Sequence, residues 1–131
     1  MLLTPTYYVF DLYKVHQNAK LIPVQFNSPD YSSGSDKIPA LNISASKDSL
    51  GIVHISLVNL DPSKNISIQT SIDGTWKNVT GKILNSANLT DINTFEQPKK
   101  VIESDFKGAK LTGNKLAVDL PAKSIVVLEL K

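Results

Sequence analysis

The sequence predicts an all-β fold: an antiparallel β-sandwich of two sheets and roughly seven to nine strands, preceded by one N-terminal α-helix. Three observations predict it. From about residue 41 onward, short segments alternate apolar and polar side chains, as Leu41, Ile43 and Ala45 do against Asn42, Ser44 and Ser46. Turn chemistry separates these segments at short intervals, for example Asp61-Pro62-Ser63-Lys64, Asp73-Gly74 and Thr112-Gly113-Asn114-Lys115. Helical periodicity is confined to the first residues of the chain.

The helix is expected from Thr4 to about Asn18. Thr4 can cap it, and Pro5 then occupies the first helical position, where a missing N–H costs nothing. Tyr8, Leu12 and Val15 form one apolar stripe, while Tyr7, Val9, Phe10 and Tyr13 lie off it. The polar stripe, Asp11, Lys14 and Asn18, is narrow. Two readings stand at this point. The helix lies in a groove of its own domain, or it belongs to a neighbouring domain that covers its other side.

Residues 20–26 read as a short extended segment, and Pro23 favours an edge position. Residues 27–39 read as a loop from their Ser, Pro, Asp and Gly content. The strand at 41–46 is followed by a hairpin loop, Lys47-Asp48-Ser49-Leu50-Gly51, and then by Val53, Ile55 and Leu57 pointing inward. Ile66, Ile68 and Ile72 alternate with Ser67, Gln69 and Ser71. A strand from Val79 to about Asn85 leads into a long connection near 86–100 and weak extended signals at 101–107. Leu116, Val118 and Leu120 point inward, and Ser124 to Leu130 makes the last strand. Such alternation predicts one buried and one wet face per sheet.

Composition bounds the chemistry. A chain of 131 residues with 41% hydrophobic and 20% charged residues fits one globular domain. It contains no cysteine, which excludes disulfides, thiolate metal sites and a cysteine nucleophile. All 14 basic residues are lysine, so bidentate arginine contacts to phosphate or guanine are absent, and no basic stripe marks a nucleic-acid partner. No apolar run has the length of a membrane span, and Met1-Leu2-Leu3 lacks the pattern of a signal peptide. The compartment stays open; a bacterial source is expected.

Candidate reactive groups are few. His16 and His54 are far apart in sequence, have no carboxylate at ligand spacing, and are expected to be exposed or locally hydrogen-bonded. Nothing in the pattern points Glu96, Glu103 or Glu129 at one another as a hydrolytic pair would require. We therefore expect no catalytic, cofactor-binding or metal-binding residue in this chain. Trp76, Tyr31 and Tyr7 could stack on sugar rings, but a lone tryptophan beside an Asp-Gly turn reads equally as a lid on the sandwich edge. Sequons at Asn42, Asn65, Asn78 and Asn88 are acceptors in pattern only.

Four segments carry a resemblance. Thr4-Pro5-Thr6-Tyr7-Tyr8-Val9-Phe10-Asp11-Leu12-Tyr13-Lys14-Val15-His16-Gln17 resembles the last helix of the catalytic barrel in family 51 α-L-arabinofuranosidases. Asn93-Thr94-Phe95-Glu96-Gln97-Pro98 resembles a long loop of that family's C-terminal β-sandwich, and the segment Leu120 to Leu130 resembles its closing hairpin. Val53 to Pro62 resembles a core strand and turn. The resemblance implies that residues 1–18 are the barrel's last helix and residues 19–131 the C-terminal sandwich. It implies a parent enzyme that releases arabinofuranosyl groups with retention, through two glutamates upstream of this segment. It also leads us to expect histidine where this chain has Tyr8 and Ile92.

Two functions of different classes follow. One is a non-catalytic accessory sandwich that packs against the catalytic barrel of its parent chain. The other is an independent carbohydrate-binding or adhesion module. The outward strand positions are Asn, Ser, Gln and Lys rather than a row of aromatics, which favours the first. Tyr7, Tyr8, Phe10, Leu12, Tyr13 and Val15 are then the candidate domain-packing residues. Tyr7, Phe10 and Tyr13 cannot all share a face with Tyr8, Leu12 and Val15, so one group or the other is expected to look away from the sandwich. In isolation the chain would self-associate through this helix or leave it frayed.

Overall fold

The computed structural model describes residues 1–131. Helix α1 spans Pro5–Tyr13 and continues into one 3-10 turn, Lys14–His16. Thr4 caps it as expected: its backbone is extended and its Oγ1 accepts from the Tyr7 N–H at 3.3 Å. The helix is shorter than the pattern predicted, because the chain leaves helical geometry after His16 and reaches a left-handed conformation at Asn18 (φ 60°).

Eleven strands follow: β1 Lys20–Ile22, β2 Asp30–Ser33, β3 Asp36–Pro39, β4 Leu41–Lys47, β5 Val53–Asn59, β6 Ile66–Ser71, β7 Val79–Leu84, β8 Ser104–Asp105, β9 Ala109–Thr112, β10 Lys115–Leu120 and β11 Ser124–Leu130. All pairings are antiparallel. A six-stranded sheet runs β1-β4-β5-β11-β7-β8, and a three-stranded sheet runs β6-β10-β9. The remaining pair, β2-β3, is a small hairpin within residues 27–39, where a loop was expected. Its signal is weak because β3 is exposed throughout and β2 nearly so, so no buried face imposes alternation.

Between the sheets lies the main core. Leu41, Val53, Ile55, Leu57, Val126 and Leu128 enter it from the large sheet, and Leu116 and Val118 from the small one. Ile43, Ile66 and Ile68 pack against it from partly buried positions. The predicted inward set therefore holds.

The large sheet departs from the expectation of one wet face per sheet. Six of the seven residues of β5 are buried, including His54 and Ser56 on its outer face. The cause is α1, which lies on that face. Leu12 is buried there against Leu84, Val101 and Val127, with Tyr8, Val9, Tyr13, Val15 and Ile125 around it. The run Ile125-Val126-Val127-Leu128 is apolar on both sides because both sides are covered.

Two buried asparagines hold the turns. Asn59 donates from Nδ2 to the carbonyls of Lys64 (2.9 Å) and Pro121 (3.0 Å), and its Oδ1 accepts from the Asp61 N–H (3.0 Å). Asn93 donates to the carbonyls of Leu3 (2.9 Å) and Val101 (2.8 Å) and accepts from the Val101 N–H (2.7 Å). Asn93 thus ties the long connection to the entrance of α1. Within that connection Asp91 takes the Ser86 hydroxyl, Lys100 Nζ (2.9 Å) and the Asn88 N–H (3.1 Å). These contacts, the Ser86 hydroxyl foremost, hold its carboxyl well below the usual carboxylate range.

Candidate domain-packing interface

Helix α1 has two differently used faces. At 100° per residue, Tyr8 and Val15 lie within about 60° of Leu12, and Tyr13 about 100° away. All three pack on the sheet. Tyr7 and Phe10 lie roughly 140° and 160° from Leu12 and look outward. Phe10 is 74% exposed and Tyr7 47% exposed. Of the two groups, it is Tyr8, Leu12 and Val15 that face the sandwich, and Tyr13 parts from Tyr7 and Phe10 to join them: position 13 falls on the flank of the helix, where the ring reaches the sheet. Tyr7 also stands edge-on to Tyr8, with ring centroids 5.4 Å apart.

The long connection adds to this end of the domain. Asn93 anchors it beside Leu3, and its neighbours Ile92 and Phe95 are exposed at 61% and 82%. Phe10, Tyr7, Ile92 and Phe95 are large apolar groups that the domain itself leaves in water. Sequence reasoning singled out the helix but not the exposed loop anchored beside it, because the anchoring contact joins residues 90 positions apart.

Beneath the helix sits a polar fastening. His16 bonds through Nδ1 to Ser46 Oγ (2.6 Å) and through Nε2 to Ser56 Oγ (2.5 Å). Burial, and secondarily the neighbouring His54, push the His16 pKa below its ordinary value. His54, expected on a polar strand face, is buried; its Nε2 lies 3.3 Å from Glu129 Oε2. The register made this pair, since His54 stands directly opposite Glu129 on β11. Spacing along the chain could not show it.

A group whose pKa is depressed by folding stabilises the fold above its unfolded pKa, and that contribution fades as pH falls. The helix attachment should therefore weaken as pH drops below about 6.5. The melting temperature of the native chain should fall more steeply between pH 7.5 and 5.5 than that of His16→Gln. Equal slopes would remove His16 from this role.

A cleft of about 300 Å³ opens between α1 and the outer sheet face, lined by Asp11, Lys14, His54, Lys82, Glu103 and Glu129 among others. Its charges are largely matched internally. Asp11 pairs with Lys14 (2.7 Å), Asp105 with Lys82 (2.8 Å) and Glu129 with Lys131 (2.6 Å). The Lys131 ammonium, with His54 as a lesser contributor, lowers the Glu129 pKa. The Glu129 and Asp105 carboxylates are thus held ionised, which suits a structural ion pair. No three His, Asp or Glu side chains converge to hold a metal ion. Trp76, Tyr31 and Tyr7 sit on separate elements: Trp76 is half-buried against the main core, Tyr31 lies in the β2-β3 hairpin and Tyr7 on α1.

Comparison with known proteins decides the family. Residues 1–124 match the α-L-arabinofuranosidase C-terminal domain. The chain belongs to that family. An intracellular exo-α-L-arabinofuranosidase from Bacteroides ovatus is 42% identical over the whole chain, and the match spans 26% of that enzyme. The crystal structure of the family 51 arabinofuranosidase from Xanthomonas axonopodis pv. citri superposes with a TM-score of 0.96 at 42% identity, covering 100% of this chain and 27% of that one. An arabinofuranosidase from Thermotoga maritima, at 22% identity and a TM-score of 0.84 over 98% of this chain and 29% of that one, shares the fold. This arabinofuranosidase C-terminal domain thus spans about a quarter of the length of its curated relative. No helix in it is long and apolar enough to cross a membrane.

Proposed function

We propose that this C-terminal domain is a non-catalytic accessory sandwich that packs against and stabilises the catalytic barrel of a longer α-L-arabinofuranosidase. Residues 1–18 would be the barrel's last helix and residues 19–131 the sandwich. The observation that carries the reading is the division of labour on α1. One face is fastened to the sandwich through Leu12 and His16, and the opposite face offers Tyr7 and Phe10. A helix so placed is a shared wall: it can hold two domains at a fixed distance and angle. The parent would be a retaining hydrolase of arabinofuranosyl side chains, with both reacting carboxylates on the barrel.

Two measurements test this. The 131-residue chain should release only background product from a chromogenic arabinofuranoside. In the full-length enzyme, Tyr7→Lys with Phe10→Lys should cost roughly 2–4 kcal/mol of unfolding free energy, since two aromatic faces lose their cover. In the isolated chain the same pair should change stability by less than about 0.5 kcal/mol, while abolishing any self-association through α1. Turnover by the isolated chain, or equal effects in both contexts, would overturn the reading.

A further inference from the structure

Helix α1 has a direction, and that direction puts one end of this domain beside the parent's chemistry. In a barrel whose strands alternate with helices, each helix begins at the end where the strands stop, and that end carries the active site. With α1 read as the last of those helices, Thr4 and the residues before it lead out of the last loop of the catalytic face. The sandwich touches that end through Asn93. Asn93 is buried and donates to the Leu3 carbonyl at 2.9 Å, one residue before the helix cap. Its bonds to the N–H and carbonyl of Val101 close the loop that follows it. Thr94 and Gln97 brace that loop from within: the Thr94 N–H bonds to the Gln97 carbonyl (3.3 Å) and the Gln97 N–H to Thr94 Oγ1 (3.1 Å). Phe95 stands on this brace, more exposed than any other aromatic ring of the chain.

We propose that Phe95 forms part of the rim of the parent enzyme's substrate cleft, where its ring meets the sugar chain that carries the arabinofuranosyl group, beyond the bond that is cleaved. The proposal rests on the reading that residues 1–18 are the barrel's last helix. A sugar ring offers C–H groups to a flat apolar surface and hydroxyls to a hydrogen-bond acceptor, and the loop presents both kinds of partner side by side. The acceptor is Glu96, next to Phe95 and exposed. Its own N–H, and after that the Thr94 hydroxyl, draw its carboxyl below the ordinary pKa, so it stands ionised and oriented.

The surroundings of Phe95 argue against a ring buried on the barrel. Glu96, Gln97, Lys99 and Lys100 follow it and are all exposed, whereas Tyr7 and Phe10 rise from a helix that is mainly apolar. Burying the ionised Glu96 beside the ring would cost several kcal/mol without a cation to meet it, on the order of the penalty for any unpaired buried charge. A hydrated sugar imposes no such cost, because its hydroxyls replace the water that the carboxylate gives up. The brace also matters: a ring held by an anchored loop loses little freedom when a ligand arrives.

The test uses the full-length enzyme and two substrates. One is 4-nitrophenyl arabinofuranoside, whose leaving group is small; the other is an oligosaccharide of several backbone sugars with a single arabinofuranosyl branch. Phe95→Ala should raise KM for the oligosaccharide about fivefold or more at unchanged kcat, and leave both constants for the small substrate within about twofold. Phe95→Tyr, which keeps the ring, should retain the native KM. The ring is exposed, so neither change should unfold the domain. Equal losses on both substrates, or no change on either, would overturn the proposal. So would a melting temperature that Phe95→Ala lowers in the full-length enzyme but not in the 131-residue chain, since the ring would then be packed on the barrel. The two readings fail separately: the lysine pair on α1 reports the packing through stability, and the oligosaccharide KM reports the rim.

Discussion

Leu128→Ala should cost the domain about 3–5 kcal/mol of unfolding free energy, a large part of the roughly 5–15 kcal/mol that holds a typical domain together. Leu128 is fully buried, and it sits on β11 between β5 and β7, so no solvent can relax into the space it leaves. Its Cδ2 lies 2.7 Å from where a Cβ on Gly81 would stand, so the side chain occupies room that the glycine vacates. Ile55 faces Leu128 across the strands, and Ile55→Ala should cost about 2–4 kcal/mol. The two should not add, because they empty one shared space. Urea unfolding of both singles and the double checks this. A loss under about 1 kcal/mol at either site would place that residue outside the core.

Gly108→Ala should be the most damaging single methyl addition, at about 3 kcal/mol. The new Cβ would stand 2.6 Å from Phe106 Cζ and 2.8 Å from the carbonyl oxygen of Asp119. The first contact is with a buried ring and the second with backbone. Neither can retreat easily, since the Asp119 N–H is bonded to the Gly108 carbonyl at 2.9 Å. Gly113→Ala is the control. Gly113 adopts φ +62° in the turn between β9 and β10 but has nothing within 4 Å of its absent Cβ. Its substitution should cost only the left-handed strain, about 1–2 kcal/mol. If thermal unfolding ranks the two in the opposite order, the close approach at Gly108 is not as tight as drawn.

The sandwich was legible because burial on one side writes a period of two into β4, β6 and β10. Elements with no such face were not. The β2-β3 hairpin is mostly in water, and β8 has two residues, so neither carries a pattern long enough to read. The candidate interface was half legible. Aromatic excess on α1 showed that one group of its rings must look away from the sandwich, and the structure shows Tyr7 and Phe10 exposed. Which group faces the sandwich, and that Tyr13 sides with Leu12, was not legible, because a residue on a helix flank can turn either way and only the neighbouring sheet decides. The pairings His16 with Ser46 and Ser56, His54 with Glu129, and Asn93 with Leu3 join residues 30, 40, 75 and 90 apart. Spacing rules reach across one turn or one hairpin, and none of these contacts is that local.

The seat of α1 also sets an order of events in synthesis. Leu12 packs against Val127, and the last strand, β11, is the one that joins β5 to β7 in the middle of the large sheet. At ordinary translation speeds Leu12 waits about 6–23 s for its partner to be made. Throughout that interval the sheet exists only as disconnected hairpins, and the helix has no floor to rest on. The large sheet therefore closes only once β11 has been made, and Ser124–Leu130 act as its bolt. Deletions of a few residues within β11 should be far more harmful to yield than their length suggests.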